Sequence, residues 1–187
     1  MSDKEKIIYV FIDASNVWNI VKSKKKFIEY NQLKNCLKEK FKAREVRIFY
    51  YDAYPKEGTR DYDLNGKHKF YTYLKKGLGF IVRKKELKRI PIITKDGESI
   101  EEKGNMDVEI TIDALHYINK YDIATLFSGD SDFLALVSYL KNRGKKVYIF
   151  SSQGSVSEEL RTGGDGYFDL RKIDEIWGKD LKYRIDN

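Results

Sequence analysis

Two short apolar runs, each followed closely by an acidic side chain, constrain the fold of this chain more than any other feature. Residues 7–12 run directly into Asp13, and residues 123–127 run into a Ser-Gly-Asp-Ser-Asp segment that contains Asp130 and Asp132. Runs this short and apolar are typical of buried parallel strands. In an open α/β sheet the carboxyl ends of the strands share one edge, and ligands bind there. The sequence therefore predicts an acidic site at that edge.

The rest of the chain alternates between strand and helix patterns. Strands are predicted over residues 7–12, 45–51, 80–83, 123–127 and 146–150, with a last short one over 167–170. Helices are predicted over 30–41, 64–76, 106–118 and 131–142, a hairpin over 90–102, and a short helix opened by a capping box from Ser155 to Glu158. This alternation implies βαβ units around a parallel sheet. We expect one three-layer α/β domain over 1–187, with a core of about 7–170 and a helical tail over 171–187.

Composition excludes several classes of protein. The chain has 187 residues, 41% hydrophobic and 35% charged, and no run approaches the roughly 20 apolar residues of a membrane span. The first residues lack the apolar core of a signal peptide, so we expect a cytoplasmic protein with no membrane contact. The lone Cys36 cannot form an intrachain disulfide. Its core-facing position in a predicted helix favours a buried apolar side chain. Dinucleotide and P-loop glycine motifs are absent.

The chain is basic, and the positive charge is concentrated. The formal net charge is +7, and residues 67–89 hold nine Lys or Arg against one acid. Residues 22–26 form a smaller cluster. The larger segment also contains His68, Phe70, Tyr71, Tyr73 and Phe80. Cations interleaved with aromatic rings are typical of surfaces that bind phosphates and stack bases, although a solvated face is the alternative.

This reasoning names candidate contacts to nucleic acid. The basic candidates for substrate binding are Lys24, Lys25, Lys69, Arg83, Lys84 and Lys85. The candidates for stacking on unpaired bases are Tyr51, Tyr54 and Tyr71. We expect a nucleic acid, RNA or single-stranded DNA, as the partner, and a monomer or a homodimer.

Four acidic residues are candidates for a metal-binding cluster at this edge of the sheet. They are Asp13, Asp107, Asp130 and Asp132. Carboxylates brought together repel one another and stay ionised only with a cation between them. Oxygen ligands favour Mg²⁺ or Mn²⁺, and with two histidines and one cysteine in the chain a zinc site is poorly supported.

Each member of this set has an alternative role or a polar neighbour. Asp107 and Asp132 also fit the first turn of a helix, where the helix dipole favours an acid. An acid at the end of an apolar strand, as at Asp13, is costly unless it is paired or metal-bound. Three polar neighbours could orient a water or bind a phosphate at the same edge: Ser15, Asn16 and Ser128.

Three motifs in order resemble a known family. They read Ile-Asp-x-x-Asn at 12–16, Lys-Gly-Asn-Met-Asp-Val at 103–108 and Ser-Gly-Asp-Ser-Asp-Phe at 128–133. Together they resemble the NYN domain, a branch of the PIN-like nucleases, and most closely its LabA-like group. The middle motif is one residue longer than the family's usual pattern, and the loose Gly-Asp-Gly-Tyr at 164–167 assigns no role to Asp165.

The resemblance implies a fold and an activity. It implies a Rossmann-like sheet whose five main strands lie in the order 3-2-1-4-5, and a Mg²⁺- or Mn²⁺-dependent ribonuclease with the four aspartates as its acidic set. It also implies a substrate or supporting role for Asn16. Two alternatives stay open: an RNA-binding module that does not cleave, and a metal-dependent phosphohydrolase acting on a small substrate.

Overall fold

The computed structural model describes residues 5–95 and 97–181, and ten strands and six α-helices lie in these ranges. The strands are β1 (Lys6–Asp13), β2 (Lys26–Ile28), β3 (Ala43–Tyr54), β4 (Ile81–Glu86), β5 (Lys88–Thr94), β6 (Gly97–Lys103), β7 (Ile123–Phe127), β8 (Lys146–Ser151), β9 (Gly166–Asp169) and β10 (Trp177–Asp180). The helices are α1 (Ala14–Lys24), α2 (Tyr30–Lys40), α3 (Asn65–Thr72), α4 (Asp107–His116), α5 (Leu134–Asn142) and α6 (Glu158–Gly163).

The central sheet has six strands in the order β4-β3-β1-β7-β8-β9. Every neighbouring pair in it is parallel. The five main predicted strands therefore lie in the order 3-2-1-4-5, and the short strand predicted near residue 167 extends the sheet as its sixth member. The α/β class and its parallel sheet are confirmed.

Helices cover both faces of this sheet, and strand periodicity explains why. Side chains alternate between the two faces of a strand, so Ile8 and Val10 of β1 pack with α1, α2 and α3. Tyr9 and Phe11 point the other way and pack with α4, α5 and α6. Because all the strands are parallel, their carboxyl ends meet at one edge, which we call the carboxyl edge. The helix that follows each strand begins there.

Two predictions near the C-terminus are wrong. Residues 174–176 form a 3-10 turn and Trp177–Asp180 form a strand, where a helical tail is predicted; residues 182–187 lie outside the described ranges. Ile176 is buried in the core, and Trp177 pairs with Ile28 of β2. Contacts with residues distant in the sequence determine the conformation of this segment, and a local sequence pattern does not contain those contacts. The predicted capping box also lies too early, since Ser157 caps α6 by accepting from the Leu160 N–H.

Other elements differ from the prediction in detail. Helix α1 and strand β2 were not predicted, because residues 14–28 mix a short amphipathic helix with a run of lysines. The helix predicted over 64–76 ends in a π-helical turn over Tyr73–Gly77, and the one over 131–142 starts with a 3-10 turn over Ser131–Phe133.

The predicted hairpin is present as an arm outside the central sheet. Strands β5 and β6 pair antiparallel with each other in a separate two-stranded sheet. The arm leads directly into the segment before α4. Among the described residues, no helix is long and apolar enough to cross a bilayer.

Candidate functional site

Asp13 is the buried acid of the carboxyl edge. It is the last residue of β1 and the N-cap of α1, and it is 5% exposed. One carboxylate oxygen accepts from the Ser15 N–H at 3.0 Å and from the Ser15 hydroxyl at 2.7 Å. The other accepts from Asn16 Nδ2 at 2.7 Å and lies 3.5 Å from the Ser128 hydroxyl. These donors compensate for the cost of burying the charge.

The other three candidate acids form a cluster beside it. Asp107 opens α4, and Asp130 and Asp132 lie in the loop and 3-10 turn after β7. One carboxylate oxygen of each lies within 4.8 Å of those of the other two. Asp13 is outside this cluster of three, although its charge acts on Asp107. The carboxyl edge thus brings all four predicted acids to one place, three of them at the spacing of ligands around one cation.

Two motif glycines allow this close approach. A Cβ on Gly129 would lie 2.0 Å from the Ser155 carbonyl oxygen, which is backbone and cannot move aside cheaply. A Cβ on Gly104 would lie 2.7 Å from a Leu87 methyl group and 3.2 Å from Ala53 Cβ. The first contact packs the Asp130 loop against the loop after β8. The second seats the segment before α4 against the end of the sheet.

Burial and electrostatic repulsion both act on the carboxyl group of Asp107. Burial raises the pKa of Asp107 to about 6, and the charges of Asp13, Asp130 and Asp132 push it in the same direction. Lys85 opposes this increase. The carboxyl edge therefore concentrates more negative charge than the neighbouring cations neutralise, which is the condition that favours binding of a cation.

The polar neighbours predicted to bind substrate hold the acids in place. Asn16 donates to Asp13 and accepts from the Gly129 N–H at 3.1 Å, so it links the end of β1 to the loop after β7. The Ser128 hydroxyl, which is buried, accepts from the Asp130 N–H at 3.2 Å. Asp130 in turn accepts from the Asp132 N–H at 3.0 Å.

We expect Asn16→Ala to destabilise the protein by about 1–2 kcal/mol, since it leaves the Gly129 N–H and one Asp13 oxygen without their partner. Asn19→Ala is the matched control, because Asn19 is exposed on the same helix. The measurement is the free energy of unfolding from urea titration of both variants. Equal stability of the two variants would contradict the linking role of Asn16.

The predicted basic contacts are dispersed rather than gathered on one surface. Arg83 forms a two-point ion pair with the buried Asp113 of α4, with hydrogen bonds of 3.0 and 3.2 Å. Lys85 pairs with Glu109 at 2.7 Å. Lys84 points to the opposite face of β4 and lies over the Tyr54 and Tyr71 rings. Only Lys85 is among the basic groups acting on Asp107.

The remaining basic candidates lie farther from the acids. Lys24 and Lys25 are at the distal end of α1, eleven residues along from Asp13 at its start, and Lys24 donates to the Arg171 carbonyl at 2.9 Å. A helix of that length spans about 16 Å, so both lysines lie well away from Asp13 along α1. Lys69 is exposed on α3.

Two of the three stacking candidates are wrong. Tyr51 is fully buried and donates its hydroxyl to Asp113 at 3.0 Å. Tyr71 is 2% exposed and donates to Asp52 at 2.8 Å. Neither ring can reach a base. Tyr54 is half-buried and packs edge-on against His68.

A cleft next to Asp107 brings the predicted Lys85 together with Lys88 and Lys103, which were not among the predicted contacts. It has a volume of about 570 Å³ and is lined by Lys85, Glu86, Lys88, Glu102, Lys103, Gly104 and Asn105. Asn105 at its wall donates to Asp107 at 2.6 Å. The cleft therefore leads from the acidic cluster along the base of the hairpin arm.

Sequence reasoning also missed two acids. Asp52 is buried near the carboxyl end of β3, its pKa is raised by burial, and it pairs with Lys67 at 3.1 Å. Glu109 has a buried carboxylate oxygen with no hydrogen-bond partner among the described residues. Asp52 carries the same signal as Asp13, an acid directly after an apolar strand. Glu109 has no local signal, because only the packing of α4 buries it.

Comparisons with known proteins identify a family, a sequence relative and a structural neighbour. The family model of the NYN domain matches residues 7–171. The "Low amplitude and bright protein LabA" of Synechococcus elongatus is 27% identical over 168 residues, covering 88% of this chain and 83% of its own length. The crystal structure of a protein of unknown function from Vibrio parahaemolyticus superimposes with a TM-score of 0.69 at 25% identity, covering 95% of this chain and 99% of the other.

Proposed function

The chain belongs to the NYN domain family of the PIN-like nuclease superfamily, and from this premise we propose that it is a metal-dependent endoribonuclease. Its substrate would be RNA, and its cofactor Mg²⁺ or Mn²⁺. The observation that carries the proposal is the carboxylate cluster of Asp107, Asp130 and Asp132 at the carboxyl edge.

The residues present fit a hard divalent cation. The donor set consists of carboxylate oxygens, which Mg²⁺ and Mn²⁺ prefer. Their mutual spacing within 4.8 Å matches oxygens around one ion. The raised pKa of Asp107 indicates negative charge that a cation would neutralise. We propose Asp107, Asp130 and Asp132 as ligands, with Asp13 contributing directly or through its charge.

The chain's own residues would divide the remaining work. A bound cation supplies charge that stabilises the developing negative charge on the scissile phosphate and lowers the pKa of the attacking water. Asn16 and Ser128 hold the loop that carries Asp130 in place beside Asp13, because each accepts a hydrogen bond from an N–H of that loop. The lysines of the cleft beside Asp107 would neutralise backbone phosphates on one side of the cut.

Incubation of the full chain with labelled single-stranded RNA tests the proposal. We expect cleavage with Mn²⁺ or Mg²⁺ and none with EDTA, because the acidic cluster repels phosphate unless a cation is bound. A DNA oligonucleotide of the same sequence, run in parallel, distinguishes RNA from DNA as substrate. Salt-dependent RNA binding without cleavage in either metal would overturn the nuclease assignment and favour a binding module.

A further inference from the structure

The outer face of α1 carries an exposed tryptophan close to the acidic site. Trp18 is 47% exposed, whereas its helix neighbours Val17, Ile20 and Val21 are buried. Its Cα lies five residues from Asp13, which is about 7–8 Å along the helix axis. Among the described residues, no ring, cation or hydrogen-bond acceptor is paired with the indole, so the exposed part of the ring is open to contact by a ligand.

The direction in which Trp18 points follows from the helix geometry. Asn16 faces β7, since it accepts from the Gly129 N–H. Two residues further along a helix is a rotation of about 200°, so Trp18 lies on the opposite flank of α1, toward β3. The exposed Lys22 is one turn further along α1. At the carboxyl end of β3 on that side is Lys67, which pairs with Asp52.

Other exposed aromatic residues are less suitable for contact with a nucleic acid at this site. Phe27 is on β2, beyond the far end of α1, and Tyr73 begins the turn at the distal end of α3. Tyr139 lies under the Arg143 guanidinium on α5. Tyr62 interacts with the neighbouring Arg60. Trp18 is on a rigid helix that starts at the acidic site.

We propose that Trp18 is a stacking platform for an unpaired RNA base a few nucleotides from the scissile phosphate. The inference rests on the proposed function and deepens it, because it names a residue that would bind the RNA outside the acidic cluster. A base in a duplex is stacked between its neighbours and cannot lie on the ring. Stacking tolerates any base, so this contact selects strandedness rather than sequence.

Binding of a short single-stranded RNA in Ca²⁺, which neutralises the acidic cluster, tests the platform, and a gel checks that the RNA stays intact. We expect Trp18→Ala to raise Kd roughly 5- to 100-fold, in line with the loss of one stacked base. Trp18→Phe retains a ring and should stay within about threefold. Phe27→Ala is the matched control, because Phe27 is similarly exposed, at 45%, on β2, beyond the end of α1 that is distant from Asp13.

Tryptophan fluorescence reports directly on contact between RNA and the Trp18 ring, so it separates that contact from a general loss of RNA affinity. The chain has two tryptophans, and the indole N–H of the other, Trp177, donates to the Leu170 carbonyl at 3.1 Å. We expect RNA to quench wild-type emission, and the remaining emission of Trp18→Phe to be unchanged while polarisation of labelled RNA still reports binding.

The outcomes separate the platform from the proposed function. Unchanged Kd in Trp18→Ala, or equal affinity of the wild type for duplex and single-stranded RNA, would overturn the platform and leave the nuclease proposal standing. A wild-type protein that binds neither duplex nor single-stranded RNA would overturn both the platform and the nuclease proposal. A Trp18→Ala protein with raised KM and unchanged kcat would support a contact that acts in binding and not in the chemical step.

Discussion

Asp130→Asn is expected to reduce RNA cleavage at least about a hundredfold while leaving the fold intact. The substitution removes one negative charge from the cluster of Asp107, Asp130 and Asp132. Asparagine caps a helix as well as aspartate does, so the bond that Asp130 accepts from the Asp132 N–H is kept. The variant therefore changes charge at the site with little change in shape. The measurement is the cleavage rate at saturating Mn²⁺.

The isosteric change is cleaner at Asp130 than at Asp13. Asp13 accepts from three donors, two on Ser15 and one on Asn16. An asparagine there would turn its own N–H₂ toward one of these donors, so lost activity would not be distinguishable from a displaced loop. For Asp130→Asn, the circular dichroism spectrum and the unfolding midpoint should match the wild type.

Asp180→Asn is the control for charge alone. Asp180 is exposed on β10, which pairs with β2 in a two-stranded sheet separate from the central sheet. The substitution alters the net charge by the same amount as Asp130→Asn, and the variant should cleave RNA as the wild type does. Wild-type rates in Asp130→Asn would show that the cluster does not support cleavage. Equal losses in both variants would indicate that net charge, rather than the site, controls the rate.

The sheet and the acidic cluster were predictable because their signals are local. An apolar strand that ends on an acid places that acid at the carboxyl edge, and parallel pairing then brings Asp13 and Asp130 together. The strand order and the place of Asp107 came instead from the resemblance of three motifs to the NYN family. Together these signals predict that the four acids lie at the carboxyl edge.

What could not be predicted depends on contacts between distant segments. The basic run at 67–89 is a single cluster in sequence, yet Arg83 faces α4 while Lys84 faces α3. Strand alternation divides it between two faces of the sheet. Tyr51 and Tyr71 are also buried by partners far away in the chain, Asp113 and Asp52. Aromatic and basic composition alone therefore overstated the size of the contact surface.

The same cluster that would bind a cation should weaken the fold when no cation is present. Burial and three neighbouring carboxylates raise the pKa of Asp107 to about 6, above its ordinary value of 3.8. Between these two pH values the folded chain binds more protons than the unfolded chain. Stability linked to Asp107 is therefore present at low pH and is lost as pH rises through about 6.

Asp107→Asn should accordingly stabilise the metal-free protein at pH 7. We expect a gain of roughly 1 kcal/mol, after allowance for solvent screening and for the lost interaction of the acid with the helix dipole. This corresponds to an increase of about 2–4 °C in Tm for a chain of this size. The bond from Asn105 is retained, since an amide oxygen can accept it as the carboxylate does.

Divalent metal should reverse this order of stability. Metal at a hundred times its Kd stabilises a folded protein by about 2.7 kcal/mol, so wild-type Tm should rise with Mn²⁺ and exceed that of the Asp107→Asn variant, which lacks one ligand. Thermal unfolding in EDTA and in Mn²⁺, at pH 5 and pH 7, measures both effects.

An Asp107→Asn variant less stable than the wild type in EDTA at pH 7 would contradict the repulsion. An equal increase in Tm with Mn²⁺ in both proteins would remove Asp107 from the ligand set. The expected reversal, in contrast, would connect the metal site to folding through one carboxylate, because the charge that destabilises the empty site is the charge that binds the cation.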